Sequence, residues 1–471
     1  MVKKIAGHSC LAFLVLNSYF DTKEHYPLPP KMKKHLVLFF ALALSAFRPA
    51  YTQNFNRPKL DSLFNNLQAY NKSMGTLLIT RNDTMVYSRS IGSGVVPKEL
   101  LSEKSRYRIG SITKMFTAVM IFQLIEEHKL ALTTTLSAYF PQLPNSDKIT
   151  IAQMLSHRSG LYNYTSDWDS WRFKPQTQEQ ILTIIAGKKA DFEPDAKTSY
   201  SNTNYLLLGY IIGKICKCSY AEAVKNRITS KTGLVNTYYG GKIDPGNKEV
   251  FSYLWEQETW KQQPETDMSA AGGAGALVSA PSDLAKFISA LFSHQLISDA
   301  SFQQMLTVKD GEGMGIEQLP FYDKQVYGHS GMIDLFQSWL LYFPAEKVSV
   351  VYLSNGYGGL GINDILKGVL HIYFNKPYEI PNFKVIQLKA EDLDAYVGLY
   401  ACKQPAMKLT VTKEGNKLFA QAAGQSRFPL EATAQHEFQF SQAGIIMKFI
   451  PDKKEMILLQ GGSSYPFTRE E

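Results

Sequence analysis

The spacing of apolar residues changes from helical to strand-like between residues 57 and 90. In RPKLDSLFNNLQAYNK, the apolar positions three and four apart are Leu60, Leu63, Phe64 and Leu67. The following stretch, GTLLITRNDTMVYSRS, has the composition of two strands joined at Asn82 and Asp83. The pattern therefore predicts a helix followed by a β-hairpin.

Helical patterns dominate from Ser111 to about Leu291, with polar loops at SHRSGLYNYTSDWDSW and FEPDAKTSYSN. Strand patterns then return. FQSWLLYF and VSVVYLSN flank the turn PAEK as an antiparallel hairpin, and GINDILKGVLHIYF follows as a closing helix. Helices inserted between an early hairpin and late strands predict an α/β fold, in which an antiparallel sheet flanked by helices holds an α-rich subdomain.

The composition changes between Pro377 and Pro381. Short alternating strands fill the rest of the chain: KLTVTKEGNKLFAQ with a Gly-Asn turn, HEFQFS, GIIMKFIP and EMILLQ. This pattern predicts a separate antiparallel, barrel-like β domain over residues 388–471. We assign residues 53–377 to the main domain and residues 1–52 to a leader.

The segment MKKHLVLFFALALSAFRPAYTQ, which begins at Met32, has the layout of an export signal. Two lysines precede an apolar core from Leu36 to Phe47, and small residues stand just before Gln53. The core is shorter than the roughly 20 residues that span a bilayer, so an uncleaved anchor is the weaker alternative. We expect translation to start at Met32 rather than Met1, and a periplasmic or extracellular protein beginning near Gln53.

The composition is that of an ordinary globular protein, with 45% hydrophobic and 20% charged residues among 471. The formal net charge is +8, but seven Lys or Arg against two Asp or Glu lie within the first 52 residues. Because the remainder is nearly balanced, we expect no nucleic-acid partner, and membrane proximity only through the leader. The pattern specifies no oligomeric state.

The cysteines and histidines form neither a disulfide framework nor a metal motif. Beyond the leader the cysteines are Cys216, Cys218 and Cys402. Cysteines at i and i+2 of a helix point in different directions, so Cys216 and Cys218 are not expected to bridge, and the odd number leaves a free thiol. The nine histidines include no H-E-x-x-H, so we expect no metal.

The Gly/Ala run at residues 272–275 lacks the full G-x-G-x-x-G spacing of a nucleotide-binding loop. We interpret it as a close-packed turn before a helix from Leu284 to Leu291. No cofactor is therefore expected.

Ser111 and Lys114 lie three residues apart where an apolar helical run begins, so their Oγ and Nζ atoms can face each other. A serine becomes a nucleophile only if a nearby group takes its proton, and a lysine can do so when burial lowers its pKa from about 10.4. Met115, Phe116 and Val119 offer apolar surroundings. The structural alternative makes Ser111 a helix cap and Lys114 a solvated first-turn residue.

Tyr200, Ser201 and Asn202 end a polar loop just before another helical run. The phenol of Tyr200 can relay a proton, and the amide of Asn202 can orient a substrate carbonyl or a lysine. As an alternative, Ser201 or Asn202 only caps the helix.

His329, Ser330 and Gly331 stand shortly before the predicted strand from Phe336 to Phe343. A glycine here lets a substrate backbone approach, the N–H of Met332 can hold an oxyanion, and the imidazole of His329 can donate a hydrogen bond. Taken alone, a histidine is more often a structural residue.

Together, S-I-T-K at 111–114, Y-S-N at 200–202 and H-S-G at 329–331 resemble, in order and spacing, the serine hydrolases related to class C β-lactamases and DD-peptidases. The segments RIGSITKMFTA, ITIAQMLSHRSGL, YSNTNYLLLGYII, GGAGALVSAPSDLAKF and GHSGMIDLFQS extend the resemblance over about residues 58–375. The predicted β tail is similar, more loosely, to the small barrel-like domain appended to many members.

The resemblance implies a role for each matching residue. Ser111 would be the acylated nucleophile, Lys114 its base, and Tyr200 a partner in proton transfer. Asn202 would position the substrate, and the N–H groups of Ser111 and Met332 would hold the oxyanion.

H-S-G at 329–331 would edge the acyl site, where many β-lactamases carry K-T-G. The K-T-G string of this chain, at residues 231–233, lies 31 residues after Tyr200 behind a helical stretch, and we interpret it as a helix end. Because histidine is mostly neutral at pH 7 and lysine is not, His329 would grip a penicillin carboxylate weakly. Efficient β-lactam hydrolysis is not expected.

The resemblance thus implies an exported serine hydrolase that forms an acyl-enzyme on Ser111 and cleaves a small amide or ester. The first expectation is a peptide that contains a D-amino acid. A carboxylesterase and a weak β-lactamase are alternatives within the class. A non-catalytic penicillin-binding or sensor module is the alternative from another class.

Overall fold

The computed structural model describes residues 55–92, 94–308, 312–440, 443–460 and 463–470. The predicted leader and the expected mature N-terminus near Gln53 lie outside these residues.

The strands before the predicted tail build one large and two small sheets. They are β1 (Gly75–Arg81), β2 (Thr84–Ile91), β3 (Tyr107–Arg108), β4 (Tyr238–Tyr239), β5 (Tyr253–Glu256), β6 (Thr259–Gln262), β7 (Leu277–Ser279), β8 (Glu317–Phe321), β9 (Lys324–Ile333), β10 (Phe336–Phe343), β11 (Val348–Ser354) and β12 (Gly356–Tyr357). The large sheet is antiparallel, in the order β2-β1-β11-β10-β9-β8, and the small sheets are β3-β7-β4 and β12-β5-β6.

Helices cover both faces of the large sheet. They are α1 (Arg57–Ala69), α2 (Thr113–Glu126), α3 (Ile151–Leu155), α4 (Gln178–Ala186), α5 (Asn202–Cys216), α6 (Tyr220–Val224), α7 (Ser230–Thr232), α8 (Met268–Gly275), α9 (Pro281–Phe292), α10 (Asp299–Met305) and α11 (Ile362–Tyr373). Shorter 3-10 turns include Lys98–Leu100, Gly110–Ile112, Leu136–Ala138, Tyr164–Ser170 and Pro245–Asn247, and a π turn spans Lys225–Thr229. Within the described ranges, no helix is both long enough and apolar enough to cross a bilayer.

The period of two along the central strands divides the core between the two faces of the sheet. On β1, Leu77 and Ile79 join the cluster under α1 and α11, whereas Leu78 joins the larger cluster formed with the helical region. On β11, Val350 and Val351 divide in the same way. The sheet is therefore a layer between a two-helix face and an α-rich subdomain, as the sequence predicts.

Several predicted elements are confirmed. The first hairpin turns at Asn82 and Asp83, both in the left-handed region, with φ of 48° and 60°. Strand β10 spans the predicted residues Phe336–Phe343, and α11 forms the closing helix. The two small sheets were not predicted, because their strands are only two to four residues long.

The interpretation of the Gly/Ala run as a turn was wrong. Residues Met268–Gly275 form α8, which is kinked where Gly272 adopts a φ of 45°. The glycines allow close packing of α8 on α5, since a Cβ on Gly273 would lie 2.6 Å from the carbonyl oxygen of Tyr205. The K-T-G string, in contrast, ends α7 with Gly233 in the left-handed conformation, as expected of a helix end.

The tail forms a closed antiparallel barrel with its own buried core. Its strands are β13 (Gly398–Cys402), β14 (Met407–Glu414), β15 (Lys417–Ala422), β16 (Phe428–Ala434), β17 (Glu437–Phe440), β18 (Ile445–Ile450), β19 (Glu455–Gln460) and β20 (Ser463–Arg469). Short 3-10 turns occur at Ala390–Tyr396 and Pro451–Lys453. Cys216, Cys218 and Cys402 all carry free thiols, so the prediction that Cys216 and Cys218 do not bridge is confirmed.

Candidate active site

Ser111 lies at the junction between strand β3 and helix α2. The 3-10 turn Gly110–Ile112 places it two residues before Thr113, where α2 begins. Gly110 adopts a φ of 51°, which bends the chain sharply out of β3. The side chain of Ser111 thereby borders a cleft of about 430 Å³.

Lys114 is fully buried in the first turn of α2. Its Nζ atom lies 2.8 Å from each of three oxygens: Ser111 Oγ, Asn202 Oδ1 and the carbonyl oxygen of Ala274. Burial lowers the pKa of Lys114 well below its ordinary value, although the charges of Glu317 and Glu312 oppose this. The sequence prediction that serine and lysine face each other is therefore confirmed.

These three contacts fit a charged amine, which would donate to all three oxygens, and they also fit the uncharged amine that burial favours. A neutral lysine has two N–H donors and one lone pair, and the oxygens of Asn202 and Ala274 can only accept. The two N–H groups thus have their acceptors, and the lone pair remains for the hydroxyl proton of Ser111. In this state the amine can take the proton that Ser111 must lose to attack.

Tyr200 stands on the other side of the nucleophile, two residues before α5. Its ring centroid lies 4.8 Å from Lys114 Nζ, and burial raises the pKa of its phenol by more than hydrogen bonding with Ser111 lowers it. The residue is 39% exposed and lines the cleft, while desolvation raises the pKa of its phenol above the ordinary value. The phenol therefore carries its proton at neutral pH and can donate it.

Asn202 begins α5 and contacts the lysine. Besides accepting from Lys114, its side chain donates from Nδ2 to Thr165 Oγ1 at 2.9 Å. Its backbone N–H donates to Asn163 Oδ1 at 3.1 Å. The sequence analysis considered two roles for this amide, to orient the lysine or to orient a substrate carbonyl. The observed contact with Lys114 supports the first role, and a contact with substrate stays a prediction.

The H-S-G residues lie within strand β9 (Lys324–Ile333), which the sequence analysis did not predict. On one side β9 pairs with β10, where Gly331 stands opposite Ser338. On the other side β8 pairs only as far as Glu317 opposite Gly328. In the part of the chain that the structure describes, the edge of β9 beyond Gly328 has no strand partner, and it faces the cleft through Ser330, Gly331 and Met332.

Two glycines bring this strand against the Ser111 turn. A Cβ on Gly331 would lie 2.1 Å from the carbonyl oxygen of Ile109 and 3.0 Å from the nitrogen of Ser111. A Cβ on Gly110 would lie 2.7 Å from the nitrogen of Met332. The backbone nitrogens of Ser111 and Met332 therefore lie where this strand meets the turn, and their role as oxyanion donors stays a prediction.

His329 is a buried, neutral residue beside this edge. It is 3% exposed, and burial together with nearby Lys114 lowers its pKa to about 3. Its Nδ1 lies 2.5 Å from the carbonyl oxygen of Ser330, which can only accept, so Nδ1 carries the proton. The imidazole supplies no fixed positive charge at pH 7, in agreement with the sequence argument.

His157, which the sequence analysis did not select, supports Tyr200. The two rings stack with centroids 4.3 Å apart, and His157 Nδ1 accepts a hydrogen bond from the N–H of Ser201 at 3.1 Å. Burial lowers its pKa well below the ordinary value, so the ring is neutral. In the sequence, the loop segment around SHRSG points to His157. The spacing of residues along the chain, however, did not indicate which residue it would contact.

Glu317 was also missed, because β8 was not predicted. It lines the cleft, and its Oε1 lies 3.6 Å from His329 Nδ1. Burial and the neighbouring Glu312 raise its pKa to about 7, while a hydrogen bond from the N–H of Ser330 opposes this.

The fold, the paired serine and lysine and the opposed backbone nitrogens define a serine hydrolase of the acyl-enzyme type. A model of the Beta-lactamase family matches residues 60–367, and the chain belongs to this family.

The similar proteins cover between 67% and 87% of this chain. Penicillin-binding protein 4* of Bacillus subtilis (strain 168) is 27% identical over 442 residues, covering 86% of this chain and 97% of that protein. A D-stereospecific amidohydrolase from Streptomyces sp. is 25% identical with a TM-score of 0.57, covering 67% of this chain and 98% of its own. An octameric penicillin-binding protein homologue from Pyrococcus abyssi has a TM-score of 0.63 at 23% identity, covering 87% and 99%.

Proposed function

We propose that this protein is an exported hydrolase that forms an acyl-enzyme on Ser111 and cleaves a small amide or ester, with a D-amino-acid-containing peptide as its substrate. The observation that carries the proposal is the buried amine of Lys114, whose Nζ lies 2.8 Å from Ser111 Oγ and whose pKa burial lowers well below its ordinary value. Export rests on the leader layout before Gln53.

In the proposed reaction, Lys114 takes the hydroxyl proton as Ser111 Oγ attacks the substrate carbonyl. The N–H groups of Ser111 and Met332 hold the oxyanion, and Asn202 keeps the amine oriented. As the carbon–nitrogen or carbon–oxygen bond breaks, the proton passes from Lys114, with Tyr200 as relay, to the leaving amine or alcohol. A water molecule then attacks the acyl-enzyme through the same groups and restores the Ser111 hydroxyl.

The charge of the cleft favours substrates without a carboxylate at the β9 edge. Among the described residues that line the cleft there is no lysine or arginine, and His329 is neutral. A penicillin or cephalosporin carboxylate would therefore lack a fixed cation, and Glu317 would repel it when ionised. The similarity to a D-stereospecific amidohydrolase, at 25% identity, supports an amide of a D-amino acid.

The first test is covalent labelling. Incubation with a fluorophosphonate or a labelled penicillin, followed by mass spectrometry, should give one adduct on Ser111, and Ser111→Ala should abolish it. Ser62→Ala, which changes an exposed serine on α1, should label like the native protein. Absence of an adduct on the native protein, or an adduct that survives in Ser111→Ala, would contradict the proposal.

The second test orders the substrates. We expect the D-amino acid amide to have a higher kcat/KM than its L isomer, a matched ester and a cephalosporin. Labelling without turnover would instead support a penicillin-binding module, which the similarity to penicillin-binding protein 4* keeps as the second candidate.

A further inference from the structure

A buried carboxylate near the site, Asp334, has no part in the reaction proposed above. Strand β9 ends at Ile333 and β10 begins at Phe336, so Asp334 and Leu335 form the two-residue turn between them. The side chain of Asp334 is only 1% exposed. A buried charge requires compensation, so its contacts show what the carboxylate holds in place.

Each carboxylate oxygen of Asp334 accepts two hydrogen bonds. Oδ2 accepts from Arg108 NH1 at 2.6 Å and from the N–H of Thr266 at 3.0 Å. Oδ1 accepts from Thr266 Oγ1 at 2.6 Å and from Arg172 NH1 at 2.9 Å. The carboxylate therefore joins three other segments: strand β3, the residues before α8, and the chain that follows the 3-10 turn Tyr164–Ser170.

The turn itself is unfavourable without this support. Asp334 and Leu335 have φ of 49° and 65°, both in the left-handed region. Two-residue turns of this kind favour asparagine, aspartate and glycine, and a leucine there is strained. Such a conformation persists only where surrounding contacts over-determine it, and the four hydrogen bonds to Asp334 do so.

The same contacts connect the two halves of the oxyanion site. Arg108 precedes Ser111 by three residues on β3, and Met332 precedes Asp334 by two residues on β9. The guanidinium of Arg108 is fixed further, because its NH2 donates to the carbonyl oxygen of Gly241 at 2.8 Å and to Glu265 Oε2 at 3.0 Å. The ion pair thus bridges the segments that carry the two oxyanion donors.

We propose that Asp334 is a positioning residue that sets the separation of the Ser111 and Met332 N–H groups. This inference rests on the proposed acyl transfer at Ser111. Without the carboxylate, the strained turn relaxes and carries the Met332 nitrogen away from the nucleophile. A displacement of about 1 Å at such a donor costs on the order of 100-fold in rate.

A positioning role for Asp334 differs from a purely structural role, in which the buried ion pair acts only on folding. A structural role would reduce the folded fraction but leave the rate for each folded molecule unchanged. A positioning role lowers the rate for each folded molecule, and it also lowers the affinity for a boronic acid. Such a compound adds to Ser111 as a tetrahedral adduct with an oxygen in the oxyanion site.

The experiment compares Asp334→Asn with the native protein, normalised to the folded fraction by the final extent of fluorophosphonate labelling. We expect kcat on a D-amino acid amide and the affinity for a peptide boronic acid to fall together, each by about 100-fold, with KM changed by less than about threefold. The control is Glu346→Gln, which removes the ion-pair partner of Lys324 at the opposite end of β9 and should leave both quantities unchanged.

Thr266→Val provides a second variant, because it deletes the hydroxyl that donates to Asp334 Oδ1 and accepts from Arg172 NH1, while both arginines keep their ion pairs with Asp334. We expect both quantities to fall by about tenfold in this variant, and it replaces Asp334→Asn if that protein does not fold. If the folded variants keep the kcat and the boronate affinity of the native protein, the positioning role is wrong, whereas the proposed function still stands. A native protein that takes up no label would overturn the proposed function itself.

Discussion

At the scale of single residues, Glu317 adds a titrating group to the cleft. Its pKa is raised to about 7, mainly because the carboxyl is buried and secondly because Glu312 lies beside it. The folded protein therefore keeps a proton on Glu317 that the unfolded chain releases near pH 4.5. As pH rises from about 4.5 to about 7, the folded state loses stability relative to the unfolded state.

Glu317→Gln should remove this loss, since glutamine stays neutral at every pH. We expect the variant to match the native protein near pH 4 and to exceed its free energy of unfolding by about 3 kcal/mol at pH 8. Urea denaturation at the two pH values measures the difference. Glu99→Gln, at an exposed carboxyl, is the control, and a Glu317→Gln advantage that is the same at both pH values would contradict the assignment.

The same substitution has a kinetic consequence. The ionised carboxyl raises the pKa of Lys114, so its removal should shift the acid limb of kcat/KM to lower pH.

The sequence predicted the nucleophile and its lysine because their proximity is local. Three residues on one helix fix the separation of Ser111 and Lys114 whatever the rest of the chain does. Tyr200 and His329 were selected from their own segments, but only the resemblance to a family joined them to Ser111, since no local rule brings residues so far apart together. The sequence did not indicate a role for Asp334, because that role depends on contact with Arg108, which lies 226 residues earlier in the chain.

At the scale of elements, the site depends on the close approach of a strand edge to a helical turn. Gly331 meets the carbonyl oxygen of Ile109 and Gly110 meets the nitrogen of Met332, so neither position has room for a side chain. The φ of Gly331 does not lie in the left-handed region, so the requirement there is purely steric.

Gly331→Ala should separate β9 from the Ser111 turn and lower kcat/KM by about 100-fold. Gly187→Ala is the control, because the exposed Gly187 at the end of α4 has a φ of −74° and the nearest atom to a Cβ there is the carbonyl oxygen of Thr183, 3.3 Å away. Steady-state kinetics with circular dichroism separates a loss of activity from a loss of fold. Equal activities in the two variants would mean that the apposition does not matter for catalysis.

The long elements were predictable and the short or glycine-rich ones were not. Strands β10 and β11 carry continuous apolar runs buried from both faces, which local patterns reveal. Strand β9 contains QVYGHSGM, in which glycine and polar residues face the cleft, so its pattern lacks the usual alternation. Helix α8 is rich in glycine because α5 packs closely on it, and this tertiary demand overrides propensity.

At the scale of the whole molecule, the segment from Pro381 to Ile386 contacts both the main domain and the barrel. Asn66 Nδ2 on α1 donates to the carbonyl oxygen of Pro381 at 2.6 Å, and Phe383 is buried in the core cluster under α1 and α11. A few residues later, the N–H of Ile386 donates to the carbonyl oxygen of Ala432 in the barrel at 2.8 Å. The predicted boundary at residue 377 would therefore remove part of the core of the main domain.

Phe383→Ala should lower the free energy of unfolding by about 3 to 4 kcal/mol, because a buried ring leaves a cavity beneath α1. Val385→Ala changes a 44% exposed side chain two residues later and should cost no more than about 0.5 kcal/mol. Urea denaturation followed by circular dichroism measures both. If the two variants lost equal stability, the segment would be an unpacked tether.

The pairing of β1 with β11 also determines how late in synthesis the large sheet can form. Gly75 pairs with Ser354, 279 residues later, so the first hairpin remains without its neighbour until the ribosome has completed almost the whole main domain. At about 5 to 20 residues per second, this wait lasts roughly 14 to 56 seconds. During synthesis the chain thus exposes an apolar strand edge on the nascent hairpin. We expect chaperones to be needed at this early stage, to cover that edge.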